Sequence, residues 1–296
     1  MTPPPAAVKP SLPPFLRALR LHQWSKNALL FLPILAAHHL GDRAALVRVA
    51  LGFLSFGLVA SSVYVLNDMV DVESDRSHPR KRLRPFASGA LRLGAGFALV
   101  PGLLAAGAGV AILLPPMFGV ALTAYWFTTL AYSLRLKRVV ILDVLVLAGL
   151  YTVRIYAGAF AAGVPVSEWL ASFALFFFLS LAILKRASEL AKVTEAVRGR
   201  GYRPEDRIPV SAMGVASGYV SVLVLALYVT SQDVGRLYTH PAWLWMLCVL
   251  VLYWISRMWL LAWRGEVDDD PVVFAIRDPA SWGVAALAAI AIRLGT

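Results

Sequence analysis

Long apolar runs separated by short charged segments make up nearly the whole chain. Nine of them approach the roughly 20 residues that a helix needs to cross a bilayer: about 27–41, 44–66, 95–113, 116–133, 139–161, 167–184, 212–231, 241–262 and 280–294. Within each run the apolar positions are continuous and show no period of two. The pattern therefore predicts helices, which satisfy their own backbone groups in lipid, and not barrel strands. The expected fold class is all-α, a polytopic transmembrane bundle of about nine helices. No second domain and no short-period repeat is visible, so 15–296 is expected to form a single integral-membrane domain. Ahead of it, 1–14 is proline-rich with no apolar core before Phe15. It is expected to be disordered, and it does not read as a cleavable signal peptide.

Composition agrees with a membrane chain. Hydrophobic residues are 59% of the 296 and charged residues 15%, where a soluble domain carries about a quarter charged. The net charge of +11 invites a nucleic-acid partner. That reading is rejected, because the basic residues sit in short loops between apolar runs, where membrane topology and anionic headgroups account for them. The lone cysteine, Cys248, lies inside an apolar run. An internal disulfide and a cysteine-based metal site are both excluded.

Charge also sets an expected orientation. Twenty-two Lys and Arg fall in the N-terminal segment and the loops after even-numbered spans, against four in the opposite segments. The positive-inside rule then places the N-terminus and those loops in the cytoplasm of a plasma-membrane protein. Three polar stretches share that face: 67–85, 132–138 and 185–207.

The first stretch carries the densest chemistry. If the preceding helix continues, Asn67, Asp68, Asp71 and Asp75 recur at intervals that stack them on one face. Stacked acids repel one another and are tolerated where a divalent cation, usually with a phosphate, bridges them; hard oxygen donors suit Mg2+. The basic run that follows, with Lys81, Arg82 and Arg84, can hold the rest of an anionic substrate. The alternative is a solvated helix end with a mixed-charge loop.

Asn67-Asp68-x-x-Asp71-x-x-x-Asp75 resembles the first aspartate-rich motif of the UbiA superfamily of intramembrane prenyltransferases. Tyr132-Ser133-Leu134-Arg135-Leu136-Lys137 is similar to that superfamily's Tyr/Lys loop after its fourth helix. Aromatic prenyltransferases of the superfamily carry a second Asp-x-x-x-Asp motif near the end of the sixth helix. Here that place reads Leu184-Lys185-Arg186-Ala187-Ser188-Glu189-Leu190, with a cation pair in place of the first acid. Together with His22-Gln23-Trp24-Ser25-Lys26-Asn27 and His78-Pro79-x-Lys81-Arg82-x-Arg84-Pro85, this resembles the decaprenyl-phosphate phosphoribosyltransferase branch.

The resemblance implies a central cavity open to the cytoplasm and a Mg2+-dependent transfer of 5-phosphoribose from phosphoribosyl pyrophosphate to a polyprenyl phosphate held in the lipid bilayer. It implies a metal set of Asn67, Asp68, Asp71 and Asp75. Asp68, Asp71, Asp75 and Lys185 are expected to be catalytic. Lys26, Asn67, Lys81, Arg82, Arg84, Tyr132, Lys137, Asp143, Arg186 and Glu189 are expected to bind substrate. A donor with a 5-phosphate as well as a diphosphate calls for extra cations, and Lys185 with Arg186 would meet that need.

Several residues keep two readings. Lys26 is either a phosphate ligand or a lysine snorkelling to the interface. Tyr132 is a site residue or an interfacial anchor. Glu189 pairs with Lys185 one turn away, or meets the ribose or the metal. Arg154, deep in a span, reads as a structural pair or cavity lining. Asp268-Asp269-Asp270 points in several directions and reads as a solvated loop. Phe173, Phe176, Phe177 and Phe178 line a prenyl groove or simply pack helices. Two other functions compete: a prenyltransferase joining a prenyl diphosphate to a small acceptor, and a carrier for an anionic solute, against which the sequence shows no inverted repeats.

Overall fold

The computed structural model describes residues 12–77, 79, 81–191, 201–267 and 271–296. Helices and the turns between them account for all of these. Seven helical segments are long and apolar enough to cross a membrane, and an eighth candidate is a pair bent by 79°. We label the long helices α1 (Arg43–Val70), α2 (Leu93–Ala111), α3 (Pro116–Leu134), α4 (Leu142–Ala162), α5 (Glu168–Leu190), α6 (Arg207–Val229), α7 (Trp245–Trp263) and α8 (Pro279–Gly295). A short helix, Pro271–Arg277, precedes α8 and makes the bend with it.

The expected first span is corrected. Residues 27–41 do not form a crossing helix. Leu21–Phe31 is a 3-10 helix, followed by five α-helical residues, Leu32–Ala36. His38, in the left-handed region at φ 57, ends the segment. Two other helices extend past their expected ends, and both extensions carry charge. α1 runs to Val70 and takes in Asn67 and Asp68, while α5 runs to Leu190 and takes in Lys185, Arg186 and Glu189. Expected disorder over 1–14 falls mostly on residues 1–11, which lie outside the described residues; Pro14 opens a short helix, Pro14–Ala18. The Asp268–Asp270 run also lies outside them.

The chain divides into two compact units, 1–130 with 157–164 and 131–156 with 165–296. In the first, α1 and α2 pack through small residues, which let helix backbones approach closely. Ser55 donates to Gly107 O at 2.8 Å. At the far end of α1, Arg48 donates to the last carbonyls of α4, Ala161 O and Ala162 O, both at 2.9 Å. Such capping satisfies acceptors that a helix end otherwise leaves bare. Gly158 of α4 lies against the 3-10 segment so tightly that a Cβ there would sit 2.1 Å from Leu30 O. That neighbour is backbone and cannot rotate away. Gly158→Ala is expected to cost about 1–3 kcal/mol, read as a lowered unfolding midpoint in detergent.

In the second unit, Ser180 joins three helices. It donates to Gly214 O at 2.7 Å and accepts from Trp259 Nε1 at 3.0 Å. Around it Ile183, Leu184, Ile255, Met258 and Trp259 form a buried core. Phe177 stacks on Phe173 and Trp254, and Phe178 stacks on Tyr151. Those rings therefore serve helix packing. Trp243, Trp245 and Trp263 are about half exposed, as suits an interfacial belt. Arg257 grips Asp278 through two bonds of 2.8 and 3.0 Å, and Asp278 in turn caps α8 by accepting from Ser281 N at 2.9 Å.

Candidate functional site

Each unit holds a cluster of charged residues at the position the sequence singled out. In the first unit the helix carrying the acids does not run through unbroken. α1 stops at Val70, Asp71 adopts φ −90 and ψ 9, and one further turn follows, Val72–Arg76. Helical spacing nevertheless survives the break: Asp71 N–H donates to Asn67 O at 2.9 Å, and Asp75 N–H to Asp71 O at 2.8 Å. Residues two turns apart therefore still face one way, and Asp68 and Asp75 are both 1% exposed.

Arg84 comes to them from the following loop. Phe86 is buried with Ala18, Val65, Val72 and Leu103, and this anchor holds the loop against α1. Arg84 Nη1 lies 2.6 Å from Asp75 Oδ2 and 3.2 Å from Asp68 Oδ1. Two buried carboxylates thus converge on one cationic nitrogen.

A second arginine, which the sequence did not single out, meets one acid of that pair, Asp68. Arg20 Nη2 donates to Asp68 Oδ1 at 2.5 Å, and its guanidinium stands 5.5 Å over the Tyr64 ring. Arg20 sits in the left-handed backbone region at φ 50, which disfavours a side chain with a Cβ. Ser61 braces the turn on both sides. It donates to Leu19 O at 2.8 Å and accepts from Trp24 Nε1 at 3.0 Å. Gly57 leaves the space for the Trp24 ring, which a Cβ there would meet at 2.5 Å. Strain of this kind persists where surrounding contacts over-determine it.

The remaining candidates of this unit are placed as follows. Lys26, Asn67 and Asp71 are half-buried, and Lys81 and Arg82 are exposed on a short 3-10 turn, Lys81–Leu83. Arg17 fastens that turn by donating to Leu83 O at 2.6 Å. Among the described residues no three His, Cys, Asp or Glu side chains converge as a metal site. Asp68 and Asp75 fit Mg2+ as a donor pair: they are hard oxygens aimed at one point, and this ion commonly takes one or two carboxylates and completes its shell with water and substrate oxygens.

In the second unit Arg186 is fully buried. Its Nε and Nη2 donate to Asp143 Oδ2 at 3.0 and 2.6 Å, and its Nη1 pairs with Glu189. Tyr202 donates to the other oxygen of Asp143 at 2.6 Å and accepts from Ile141 N–H at 2.9 Å. Burial, then the bond to Asp143, push the Tyr202 hydroxyl well above the usual phenol range, so it remains a donor. Ile141 is at φ 67, a costly conformation for a β-branched residue, and Tyr202 holds it there.

In this arrangement Arg186, Asp143 and Glu189 are one another's partners, and Arg186 presents no surface to a ligand. Lys185, the preceding residue, is half-buried, as are Tyr132 and Lys137. Arg154 lies deep in α4, donating to Leu150 O at 2.6 Å with its guanidinium 5.6 Å over the Tyr151 ring. Arg186→Met is expected to destabilise by about 3–5 kcal/mol, since it leaves Asp143 buried without its cation. Tyr202→Phe should cost about 1–2 kcal/mol. Unfolding midpoints in detergent check both.

Comparison with known proteins places the chain in a family. The model of the UbiA prenyltransferase family matches residues 28–289. The uncharacterized protein y4nM of Sinorhizobium fredii is 42% identical over 282 residues, which are 94% of this chain and 55% of that protein. Nodulation protein NoeC of Azorhizobium caulinodans is 36% identical over 274 residues, 90% of this chain and 88% of the relative. A decaprenyl-phosphate phosphoribosyltransferase of Mycolicibacterium smegmatis is 36% identical over 181 residues, 59% of this chain and 56% of the relative. The chain therefore spans little more than half the length of the first and third of these relatives. A UbiA homolog from Archaeoglobus fulgidus bound to DMAPP and Mg2+ has a TM-score of 0.68 over 95% of this chain and 97% of that one, at 19% identity. Digeranylgeranylglyceryl phosphate synthase gives 0.65 over 95% and 97%, at 14% identity. At such identities the likeness establishes the fold.

Proposed function

The chain belongs to the UbiA prenyltransferase family; from that premise we propose that it is a membrane transferase that moves 5-phosphoribose from phosphoribosyl pyrophosphate to a polyprenyl phosphate, releasing pyrophosphate. The observation that carries this reading is the Lys185-Arg186 pair, standing where similar aromatic prenyltransferases have an acid. Similarity to the mycobacterial-type phosphoribosyltransferase over 59% of the chain supports it.

The residues divide the work by charge. Asp68 and Asp75 would hold Mg2+, with Asn67 and Asp71 available beside them. A bound ion of this kind offsets the charge that builds on a departing diphosphate. Lys81, Arg82 and Arg84 bind the diphosphate oxygens, and Lys185 takes the 5-phosphate. Arg186, locked to Asp143 and Glu189, keeps the last turn of α5 in place so that Lys185 is presented. Lys26, Tyr132 and Lys137 orient the lipid phosphate.

In the reaction an oxygen of the lipid phosphate attacks C1 of the ribose. The bond from C1 to the pyrophosphate oxygen breaks, and the configuration at C1 inverts. The nucleophile is already an anion, so no general base is required. Catalysis comes from positioning and from electrostatic stabilisation of an oxocarbenium-like ribose. The charge distribution supports the cytoplasmic face of the plasma membrane as the place of this chemistry.

The experiment is direct. Purified protein given Mg2+, phosphoribosyl pyrophosphate and a polyprenyl phosphate should release pyrophosphate and yield a phosphoribosylated lipid by mass spectrometry. A second reading, transfer of the prenyl group of a prenyl diphosphate to an aromatic or other small acceptor with release of pyrophosphate, draws on the same acid pair. It replaces the first if only that donor and acceptor react.

A further inference from the structure

We propose that Arg20 and Arg84 are guard residues of the acid pair. They neutralise Asp68 and Asp75 when the site is empty of substrate, and they pass to the diphosphate when ion and diphosphate enter together. Metal binding is thereby made conditional on the diphosphate. This rests on the reading that a diphosphate is bound here, which holds for either donor discussed above.

The argument starts from a balance of charge. Asp68 and Asp75 carry two negative charges, and the two guanidiniums in contact with them carry two positive ones. The acids have side chains 2% exposed, so they lie out of water, where charge interactions are strong. Their arginine partners are 23% and 26% exposed, so each reaches solvent and can turn towards a ligand. A divalent cation arriving alone meets carboxylates already paired. It must displace both guanidiniums and then leave them beside itself without an anion. A cation arriving with a diphosphate brings that anion. Arg20 and Arg84 then exchange carboxylate oxygens for phosphate oxygens, which guanidinium groups bind well and often through two bonds. Both carboxylates and both guanidiniums then have a partner of opposite charge.

The geometry fits an exchange. Arg84 Nη1 occupies the point on which both carboxylates converge, the place an ion would take. The left-handed backbone of Arg20 and the Ser61 brace fix where its side chain starts, so its guanidinium exchanges Asp68 for a neighbouring anion by side-chain rotation alone. Coupling of this kind is reciprocal: the factor by which diphosphate tightens the ion equals the factor by which the ion tightens diphosphate.

The test is equilibrium dialysis of the full-length protein in detergent, with Mn2+ as a probe for the ion and labelled inorganic pyrophosphate as the anion. Wild-type protein should retain Mn2+ at least ~10-fold more tightly when pyrophosphate is present, and pyrophosphate should show the same factor with Mn2+. The double variant Arg20→Gln with Arg84→Gln should bind Mn2+ alone at least ~10-fold more tightly than wild type and bind pyrophosphate more weakly. Equal retention of Mn2+ by wild-type protein with and without pyrophosphate overturns the proposal. So does a folded double variant with unchanged affinity for Mn2+ alone. Should the double variant fail to fold, the single variants Arg20→Gln and Arg84→Gln carry the same comparison, and unchanged affinity of both for Mn2+ alone overturns the proposal. Coupling without a phosphoribosylated lipid would sink the proposed reaction and leave this inference standing, whereas lipid product with uncoupled Mn2+ binding would do the reverse.

Discussion

Replacing Asp75 by Ala is expected to lower kcat by at least ~10²–10³-fold, and Asp68→Ala by a similar factor, because each removes one of two carboxylates that would hold the ion against the leaving diphosphate. The loss should not come from unfolding. Each acid is paired to an arginine that already touches water, with side-chain exposure of 26% for Arg84 and 23% for Arg20. A freed guanidinium can turn out to solvent and is not stranded in the interior. Extraction yield and unfolding midpoint should therefore stay near wild type while product formation disappears. Asp71→Ala tests the same expectation at a half-buried residue on the turn between two helical segments. Retained turnover in folded Asp75→Ala protein would remove the acid pair from the mechanism.

Much of the fold was legible because lipid enforces one rule along every crossing segment. Eight of the nine expected spans correspond to the long helices α1–α8, with ends shifted by a few residues, and the last is preceded by a sharp bend. The first expected span failed for a local reason. Its apolar residues pack against α1 as a 3-10 segment and a short turn of helix, and apolarity alone does not reveal that geometry. For 67–75 the spacing of the acids already predicts that the helix of α1 continues, with a solvated loop as the alternative, whereas 185–207 reads as a loop and its first residues extend α5. Both extensions stay helical because partners distant in sequence neutralise them. Asp68 finds Arg20, 48 residues away, and Arg186 finds Asp143, 43 residues away.

The same distance explains the residues the sequence did not flag. Tyr202 completes the Asp143 cluster from 59 positions on and has no neighbouring signal. Arg20 lies just before His22-Gln23-Trp24, a stretch that was noticed, yet its role depends on a left-handed turn that no local pattern announces. Arg186 shows the opposite difficulty. Its charge marked it as a ligand, and its burial makes it a brace for the helix end.

Under the proposed reaction, that division of labour between neighbours makes Lys185 the residue on which substrate choice is tested. Lys185→Asp places a carboxylate where the 5-phosphate is proposed to dock, so a charge-assisted contact is lost and a repulsion is added. The expected fall in kcat/KM for phosphoribosyl pyrophosphate is ~10²–10³-fold, carried mainly by KM. Lys185→Arg should retain most of the activity, because a guanidinium also binds phosphate. The fold should survive either change: Lys185 is half-buried on the last turns of α5, while the buried bonds that secure that helix belong to Arg186. Inorganic pyrophosphate, which has no ribose phosphate, supplies the control. Its binding should change far less than that of the full donor, since its proposed partners lie on 67–84. If Lys185→Asp weakens both ligands equally, Lys185 acts on the diphosphate and the 5-phosphate has another partner. If it weakens neither, the cation pair at the end of α5 no longer argues for a phosphorylated sugar, and transfer from a prenyl diphosphate becomes the better account of the same acids.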